Sequence, residues 1–174
     1  MQVLARKVRV SGVLAAVAIG MANLAFDAAA ERIEQTSVKT NPRIAFRTAT
    51  MLTDVQGHEV GQELQISDIK FSSPAFKVKD EWTYNNFNFV NGSGPHRGMW
   101  IDTHEDGAQT FGTYEGTQKT VVNSDGSWEA TWEGTYKYTG GSGKFKNAKG
   151  GGTYKGKASS AGDFREDAKE TVEY

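Results

Sequence analysis

The chain has 174 residues, of which 20 are Lys or Arg and 21 are Asp or Glu, for a net charge of −1. This length suits one domain, and the balanced charge lacks the basic excess of a nucleic-acid-binding protein, so no nucleic-acid partner is expected. The absence of cysteine excludes disulfides, thiolate metal sites and a cysteine nucleophile.

The first thirty residues have the pattern of a secretory signal peptide. Three basic side chains at positions 6–9 precede an apolar segment, 13–26, and Ala28–Ala30 supplies the small residues that a signal peptidase reads. The apolar segment is shorter than the roughly 20 residues of a membrane-spanning helix. We therefore predict cleavage after Ala30, no stable membrane insertion afterwards, and a periplasmic or secreted bacterial protein whose single domain comprises residues 31–174.

The remainder of the chain predicts an all-β fold. Turn-forming pairs recur at Asn91-Gly92, Asp106-Gly107, Asp125-Gly126 and Gly140-Gly141, with β-favouring residues between them. Strands are predicted at 82–90, 97–104, 110–122, 128–138, 152–158 and 164–172, and weaker ones at 43–50, 63–66 and 69–71. A short helical turn is expected near 144–148.

The alternation of residue types is clearest between 128 and 138. Trp132 and Tyr136 share one strand face, whereas Glu133 and Lys137 share the other, as expected for a strand with a dry side and a wet side. Gly-Thr-Tyr recurs in three of the predicted strands, and glycine within strands favours a tightly coiled sheet. We predict a single closed antiparallel β-barrel of about eight strands, with an open β-sandwich as the alternative.

Residues 131–156 read TWEGTYKYTGGSGKFKNAKGGGTYKG, with a Gly-Gly-Ser-Gly turn, a Lys-Phe pair and then Gly150 and Gly152. This segment resembles the C-terminal hairpin of the allene oxide cyclase and dirigent-like barrels, and Asp106-Gly107 and Tyr114-Glu115-Gly116 are similar to bacterial members. The resemblance implies an eight-stranded barrel with a hydrophobic cavity, often in a trimer. Plant members act on small hydrophobic molecules, and none of their active-site residues aligns with this chain.

The predicted strand after Asn91-Gly92 places His96, Trp100, Asp102 and His104 on one face. His96 and His104 are eight residues apart, roughly 26 Å along a strand, so they cannot bind one metal ion. Asp102 and His104 are close enough to touch, but a third ligand, such as His58, would have to come from elsewhere. We predict no metal site, and we expect His104 to lie in solvent at the strand end.

Many aromatic residues are available either to line a cavity for a flat ligand or to fill a barrel core. They are Trp82, Tyr84, Phe87, Phe89, Trp100, Phe111, Tyr114, Trp132, Tyr136 and Tyr154. Tyr114 lies between two glycines that leave room beside it. The predicted ligand-binding residues are His96, Trp100, Asp102, Tyr114, Trp132 and Tyr136.

Two further patterns give specific expectations. In the segment 82–90, the aromatic residues change parity around Asn85-Asn86, which predicts a bulge or bend. Near the C-terminus, a lysine-rich stretch at 137–157 is followed by acidic residues at 163–173. We interpret these as a solvated hairpin paired with an acidic last strand, the alternative being a patch for an anionic ligand or a membrane surface.

The leading functional hypothesis is a periplasmic barrel that binds a small hydrophobic or aromatic molecule. One alternative is an isomerase or cyclase on the same barrel, which would place an ionisable group with a perturbed pKa in the cavity. The other is a structural envelope protein with a filled core. No nucleophile elbow, zinc-protease motif or dinucleotide fingerprint occurs, so no cofactor is predicted. The family resemblance adds a homotrimer as the expected oligomer.

Overall fold

The computed structural model describes residues 30–174. The predicted signal peptide, residues 1–30, lies outside the described residues except for Ala30. Within the described part of the chain, no helix is long and apolar enough to cross a membrane.

Eight antiparallel strands form a closed barrel in which each strand pairs with the next and the last pairs with the first. The strands are β1 (Arg32–Met51), β2 (His58–Phe71), β3 (Val78–Val90), β4 (Gly94–His104), β5 (Gln109–Val122), β6 (Trp128–Gly141), β7 (Lys149–Ser159) and β8 (Phe164–Glu173). A short 3-10 helix, Gly143–Phe145, connects β6 to β7. The predicted all-β closed barrel is confirmed, and the open sandwich is excluded.

Three of the four predicted turns connect strands where the sequence places them. Between β3 and β4, Asn91 and Gly92 have φ angles of 52° and 74°, the positive values that such a turn requires. The fourth is displaced, because Gly140 and Gly141 still belong to β6 and the chain reverses over 142–148. The predicted helical turn near 144–148 corresponds to the short 3-10 helix.

One end of the barrel is closed by an aromatic plug, which we define as Phe76, His104, Phe145 and Tyr174. The ring centroid of Phe145 lies 4.9 Å from that of Phe76, 4.3 Å from that of His104 and 4.7 Å from that of Tyr174. Phe145 is fully buried. The hydrophobic core is therefore concentrated at this end, and the middle of the barrel is left open.

The prediction of a bulge or bend at Asn85-Asn86 is wrong. Pairing of β3 with β4 runs without a shift from Asp80 to Phe87. Trp82 and Tyr84 lie on the outer face, where they are 36% and 38% exposed, so the parity of the aromatic residues changes while the backbone stays regular. The inward positions of this half of β3 are polar instead.

β1 extends well beyond its contact with β8. Residues 32–39 pair with β8, and 37–39 pair with β2 as well, whereas 43–51 pair only with β2. Every side chain from Arg43 to Met51 is exposed. The N-terminal half of β1 therefore belongs to the barrel wall, and the C-terminal half forms a hairpin arm with β2.

Candidate functional site

The barrel encloses a cavity of about 300 Å³, lined by inward side chains from all eight strands. Its deep end lies beside the aromatic plug, where Asp102 is 1% exposed and Trp100 is 7% exposed. Its other end reaches Trp128, which is 38% exposed and marks the mouth. The alternation of residues along each strand thus produces a pocket that deepens from solvent towards the plug.

All six predicted ligand-binding residues lie on the cavity wall. They are His96, Trp100 and Asp102 on β4, Tyr114 on β5, and Trp132 and Tyr136 on β6. Their outward neighbours follow the expected alternation, since Glu133 pairs with Lys155 in solvent at 3.1 Å. The structure therefore brings the six together, and their role in binding stays a prediction.

Inward-facing glycines make room for the aromatic rings. A Cβ atom on Gly156 would lie 2.1 Å from the Trp132 indole, and one on Gly134 would lie 2.4 Å from the Tyr154 hydroxyl. Such distances are too short for real atoms, so even alanine would displace the ring beside it. The glycines of β6 and β7 are therefore needed where a wide side chain crosses the interior of a narrow barrel.

An ion pair lies in the cavity wall. The Lys39 ammonium is 2.6 Å from Glu81 and 3.7 Å from Glu166, and it also donates to the Thr83 hydroxyl at 3.0 Å. Burial opposes the charged form of Lys39, but the Glu166 and Glu81 carboxylates outweigh it and raise its pKa above the ordinary value. Lys39 is therefore a permanent cation inside the barrel.

Glu170 is the centre of a second polar cluster. Its carboxylate accepts hydrogen bonds from the Tyr136 hydroxyl, from the Tyr138 hydroxyl at 2.8 Å, and from the side-chain amide of Gln35. Burial raises the pKa of Glu170, although these hydrogen bonds oppose the shift. The two tyrosines thereby acquire fixed orientations with their rings towards the cavity.

Asp102 is the most deeply buried acid of the cavity. Its Oδ2 accepts a hydrogen bond from the Thr110 hydroxyl at 3.3 Å, while its Oδ1 has no partner among the described residues. Burial, together with the nearby Glu81 and Glu170 carboxylates, raises its pKa well above the ordinary value. Burial therefore favours the neutral, protonated form of the Asp102 carboxyl.

His96 and Tyr114 make polar contacts higher in the wall. The His96 ring nitrogen Nε2 lies 2.8 Å from the Tyr154 hydroxyl, and burial lowers the pKa of His96, so the ring is neutral near pH 7. The Tyr114 hydroxyl donates to the side-chain oxygen of Asn85 at 3.1 Å. These groups can exchange hydrogen bonds with a ligand without adding charge to the wall.

The expectation that His104 lies in solvent is wrong. The side chain is 3% exposed and stacks on Phe145 within the aromatic plug, and its Nε2 lies 3.1 Å from the Thr110 hydroxyl. The Thr110 hydroxyl thus connects His104 to Asp102 through hydrogen bonds. His58 lies elsewhere, bonded to Asp54 and Asn88 at 2.7 Å each, and no group of three potential ligands for a metal occurs within residues 30–174.

The predicted pairing of a lysine-rich hairpin with an acidic last strand is confirmed, since β7 pairs with β8, but two of the acids do not face solvent. Glu166 and Glu170 point into the cavity, whereas Asp167 lies outside in a salt bridge with Arg165. Every second residue of β8 belongs to this inward face, namely Phe164, Glu166, Ala168, Glu170 and Val172. The two glutamates in this series make the face difficult to recognise as an inward one from the sequence. Sequence reasoning also missed Lys39 and Glu81, because lone charged residues in strands usually face water.

Comparison of the chain with protein-family models and with curated proteins finds no match. The resemblance to the allene oxide cyclase and dirigent-like barrels therefore rests on the glycine and turn residues of the sequence. It assigns no role to any residue of the cavity. What the site can do follows from its own chemistry, which combines aromatic walls, several buried acids and one buried ammonium.

Proposed function

We propose that the barrel binds a small molecule with an aromatic or apolar body inside its cavity. The observation that carries this proposal is the cavity of about 300 Å³ between tryptophan and tyrosine side chains. That volume is at the lower end of the range of small-molecule pockets. The cavity does not favour the alternative hypothesis of a structural protein, which requires a filled core.

The walls favour a ligand with two chemically different ends. Towards the mouth the lining has an apolar part, formed by Trp128, Ala130, Ala158 and Phe164. Towards the plug it is polar, with buried acids and tyrosine hydroxyls. A flat apolar body would pack in the outer half while a polar group faces the inner half, which is the usual combination of apolar walls and few polar anchors.

A cavity-filling substitution tests the proposal. Ala158 pairs with Ala130 on one side and Phe164 on the other, and all three line the cavity. We expect Ala158→Phe to reduce binding of the neutral fluorescent probe N-phenyl-1-naphthylamine at least tenfold. The matched control is Lys157→Phe, which adds the same ring on the outer face. Equal binding by both variants would show that the probe binds outside the barrel.

Two conservative substitutions locate the ligand within the cavity. We expect Trp100→Phe and Tyr114→Phe to weaken probe binding, because Trp100 lines the deep end and the Tyr114 hydroxyl lies among the polar anchors. Unchanged affinity together with a changed oligomer size would instead assign these residues to a subunit contact.

Acid–base catalysis on a small substrate is a second candidate function. It is favoured by the raised pKa values of Asp102, Glu170 and Glu63, each caused first by burial, in a cavity open to small molecules. Extraction of the protein from its own cells, followed by chromatography of any bound molecules, tests it. Two isomers from wild type, but one from Glu170→Gln, would support an isomerase or cyclase.

The proposal includes export to the periplasm or the exterior, where the cavity would meet its ligand. The sequence pattern of residues 1–30 supports this location. Intact-mass measurement of the protein from the periplasm is expected to give a chain that starts at or near Glu31. The full 174-residue mass in that fraction would contradict it.

A further inference from the structure

Acids greatly outnumber cations on the cavity wall. Among the described residues, five carboxyl groups line it, whereas Lys39 is the only lysine or arginine of the lining, and the His96 ring is neutral. The five acids are Glu63, Glu81, Asp102, Glu166 and Glu170. A barrel interior without a ligand therefore holds more acid than it can neutralise by ion pairing.

The one ammonium is already engaged. Lys39 lies between Glu81 and Glu166, at 2.6 Å and 3.7 Å. Within residues 30–174, Asp102 and Glu170 make hydrogen bonds only with neutral groups, and Asp102 Oδ1 has no partner although the residue is 1% exposed. Two buried acids at the deep end of the cavity thus have no cation in contact with them among the described residues, although the more distant Lys39 lowers the pKa of Asp102.

A third acid lies nearer the mouth and has only a distant cation. Glu63 lines the cavity, and its nearest cation is the Arg47 guanidinium at 3.7 Å, which is half-exposed and also bonded to Glu59. Burial raises the pKa of Glu63, and the same cause acts first on Asp102 and Glu170. Burying a carboxylate without a partner is costly, so a cation placed beside these groups would favour their charged form.

The aromatic part of the wall is suited to the same kind of ligand. Trp128, Trp132, Tyr136 and Tyr154 line the cavity together with the acids. The faces of such rings attract cations, most strongly for tryptophan and where water is excluded. The carboxylates and the ring faces therefore both favour a positively charged ligand in the cavity, and neither would favour an anion.

We propose that the cavity takes an organic cation, a small molecule whose ammonium group faces Asp102 and Glu170 and whose apolar body packs between the tryptophans near the mouth. This inference rests on the proposed binding function and specifies its ligand class. A protonated alkylamine that carries an aromatic ring and a quaternary ammonium compound share this chemistry. A bare metal ion does not, because no group of three suitable ligands occurs in the described chain.

A pair of isosteric probes tests the charge alone. Benzyltrimethylammonium carries a positive nitrogen where the neutral compound neopentylbenzene has a carbon, so the two differ little in shape. Binding is measured by displacement of N-phenyl-1-naphthylamine from the purified protein. We expect the cation to bind at least tenfold more tightly than its neutral isostere, and the anion phenylacetate to bind more weakly than both.

Two substitutions connect that preference to the acids. Glu170→Gln and Asp102→Asn keep the size of the side chains and one acceptor oxygen but remove the charge, and each is expected to reduce the preference at least threefold. The matched control is Glu133→Gln, which removes an exposed outward carboxylate. Glu63→Gln, close to the mouth, provides a third test should the deep variants fail to fold.

The outcomes separate the two proposals. Binding of neopentylbenzene as tightly as the cation would overturn the inference and leave the binding function intact. Failure of every probe to bind, including the neutral fluorescent one, would overturn both. A cation preference that survives in Glu170→Gln, Asp102→Asn and Glu63→Gln would show that these acids do not select the ligand, which also contradicts the inference.

Discussion

The ammonium of Lys39 and the carboxylate of Glu81 lie 2.6 Å apart inside the barrel, with both side chains more than nine-tenths buried. Removing one partner of such a pair leaves an uncompensated buried charge, which typically costs about 3–5 kcal/mol. We therefore expect Lys39→Met to lower the free energy of unfolding by about that amount. Adding Glu81→Gln should recover part of the loss, because the remaining charge is then also removed.

An exposed pair supplies the control for this prediction. Lys155 and Glu133 form a salt bridge of 3.1 Å in solvent, where a pair contributes at most about 1 kcal/mol. Urea denaturation of Lys155→Met should show a correspondingly small change. If Lys39→Met costs no more than Lys155→Met, the interior pair does not exist in solution.

Trp132 and Glu133 are neighbours in the chain that lie on opposite faces of β6. Trp132 lines the cavity, and its Nε1 donates a hydrogen bond to Glu166 at 2.6 Å. Trp132→Ala should lower the free energy of unfolding by about 3 kcal/mol, as large-to-small changes of buried rings do. Glu133→Ala should change it by about 0.5 kcal/mol or less.

A third variant separates packing from hydrogen bonding. Trp132→Phe keeps a ring in the cavity wall but removes the donor to Glu166, so an intermediate loss of about 1–2 kcal/mol is expected. Thermal or urea denaturation of the three variants measures these differences. Equal losses for Trp132→Ala and Glu133→Ala would mean that the two faces of the strand are reversed.

How far the sequence predicts this molecule depends on residue type. The inward orientation of aromatic residues such as Trp132 and Tyr136 was predicted correctly. Apolar residues at every second position of a strand lie on one face, and that face is expected to be the buried one. Buried acids such as Glu166 and Glu170 were not predicted correctly, since their burial depends on partners from distant strands. Lys39 contacts Glu81 across 42 positions of sequence, which no local pattern indicates.

The length of β1 was another feature beyond local pattern. The sequence predicted a strand at 43–50, but the segment that closes the barrel is 32–39, which pairs with β8. That segment reads RIEQTSVK and places Gln35, Ser37 and Lys39 inward, so it lacks the apolar alternation by which a barrel strand is usually recognised. When the interior of a barrel is polar, the strands that form its wall lack the apolar alternation by which they could be predicted from the sequence.

The two halves of β1 should differ in local stability. Residues 32–39 pair with β8, 37–39 pair also with β2, and every second side chain from Gln35 to Lys39 is buried, whereas 43–51 pair only with β2 and are exposed throughout. Backbone amides open more easily where few buried contacts support them. We expect amide hydrogen exchange between 43 and 51 to be at least tenfold faster than between 32 and 39. Uniform protection along β1 would indicate that the arm is covered in solution.

His104 should make stability depend on pH. Burial in the aromatic plug lowers its pKa from 6.5 to about 4, and the charge of Lys144 adds to this while Asp106 opposes it. As the pH falls through 6.5, the unfolded chain takes up a proton at this position and the folded protein does not. The folded state therefore loses stability between pH 6.5 and 4, by about 3 kcal/mol for a shift of this size.

The substitution His104→Phe isolates this effect, because phenylalanine can stack on Phe145 but cannot titrate. We expect the free energy of unfolding of the variant, relative to wild type, to rise by about 3 kcal/mol between pH 7 and pH 4. His58→Asn should behave in the opposite sense, since hydrogen bonds to Asn88 and Asp54 raise the pKa of His58 and its protonation stabilises the fold. Urea denaturation at a series of pH values measures both differences. A constant difference between His104→Phe and wild type across this range would mean that His104 is not buried in the plug.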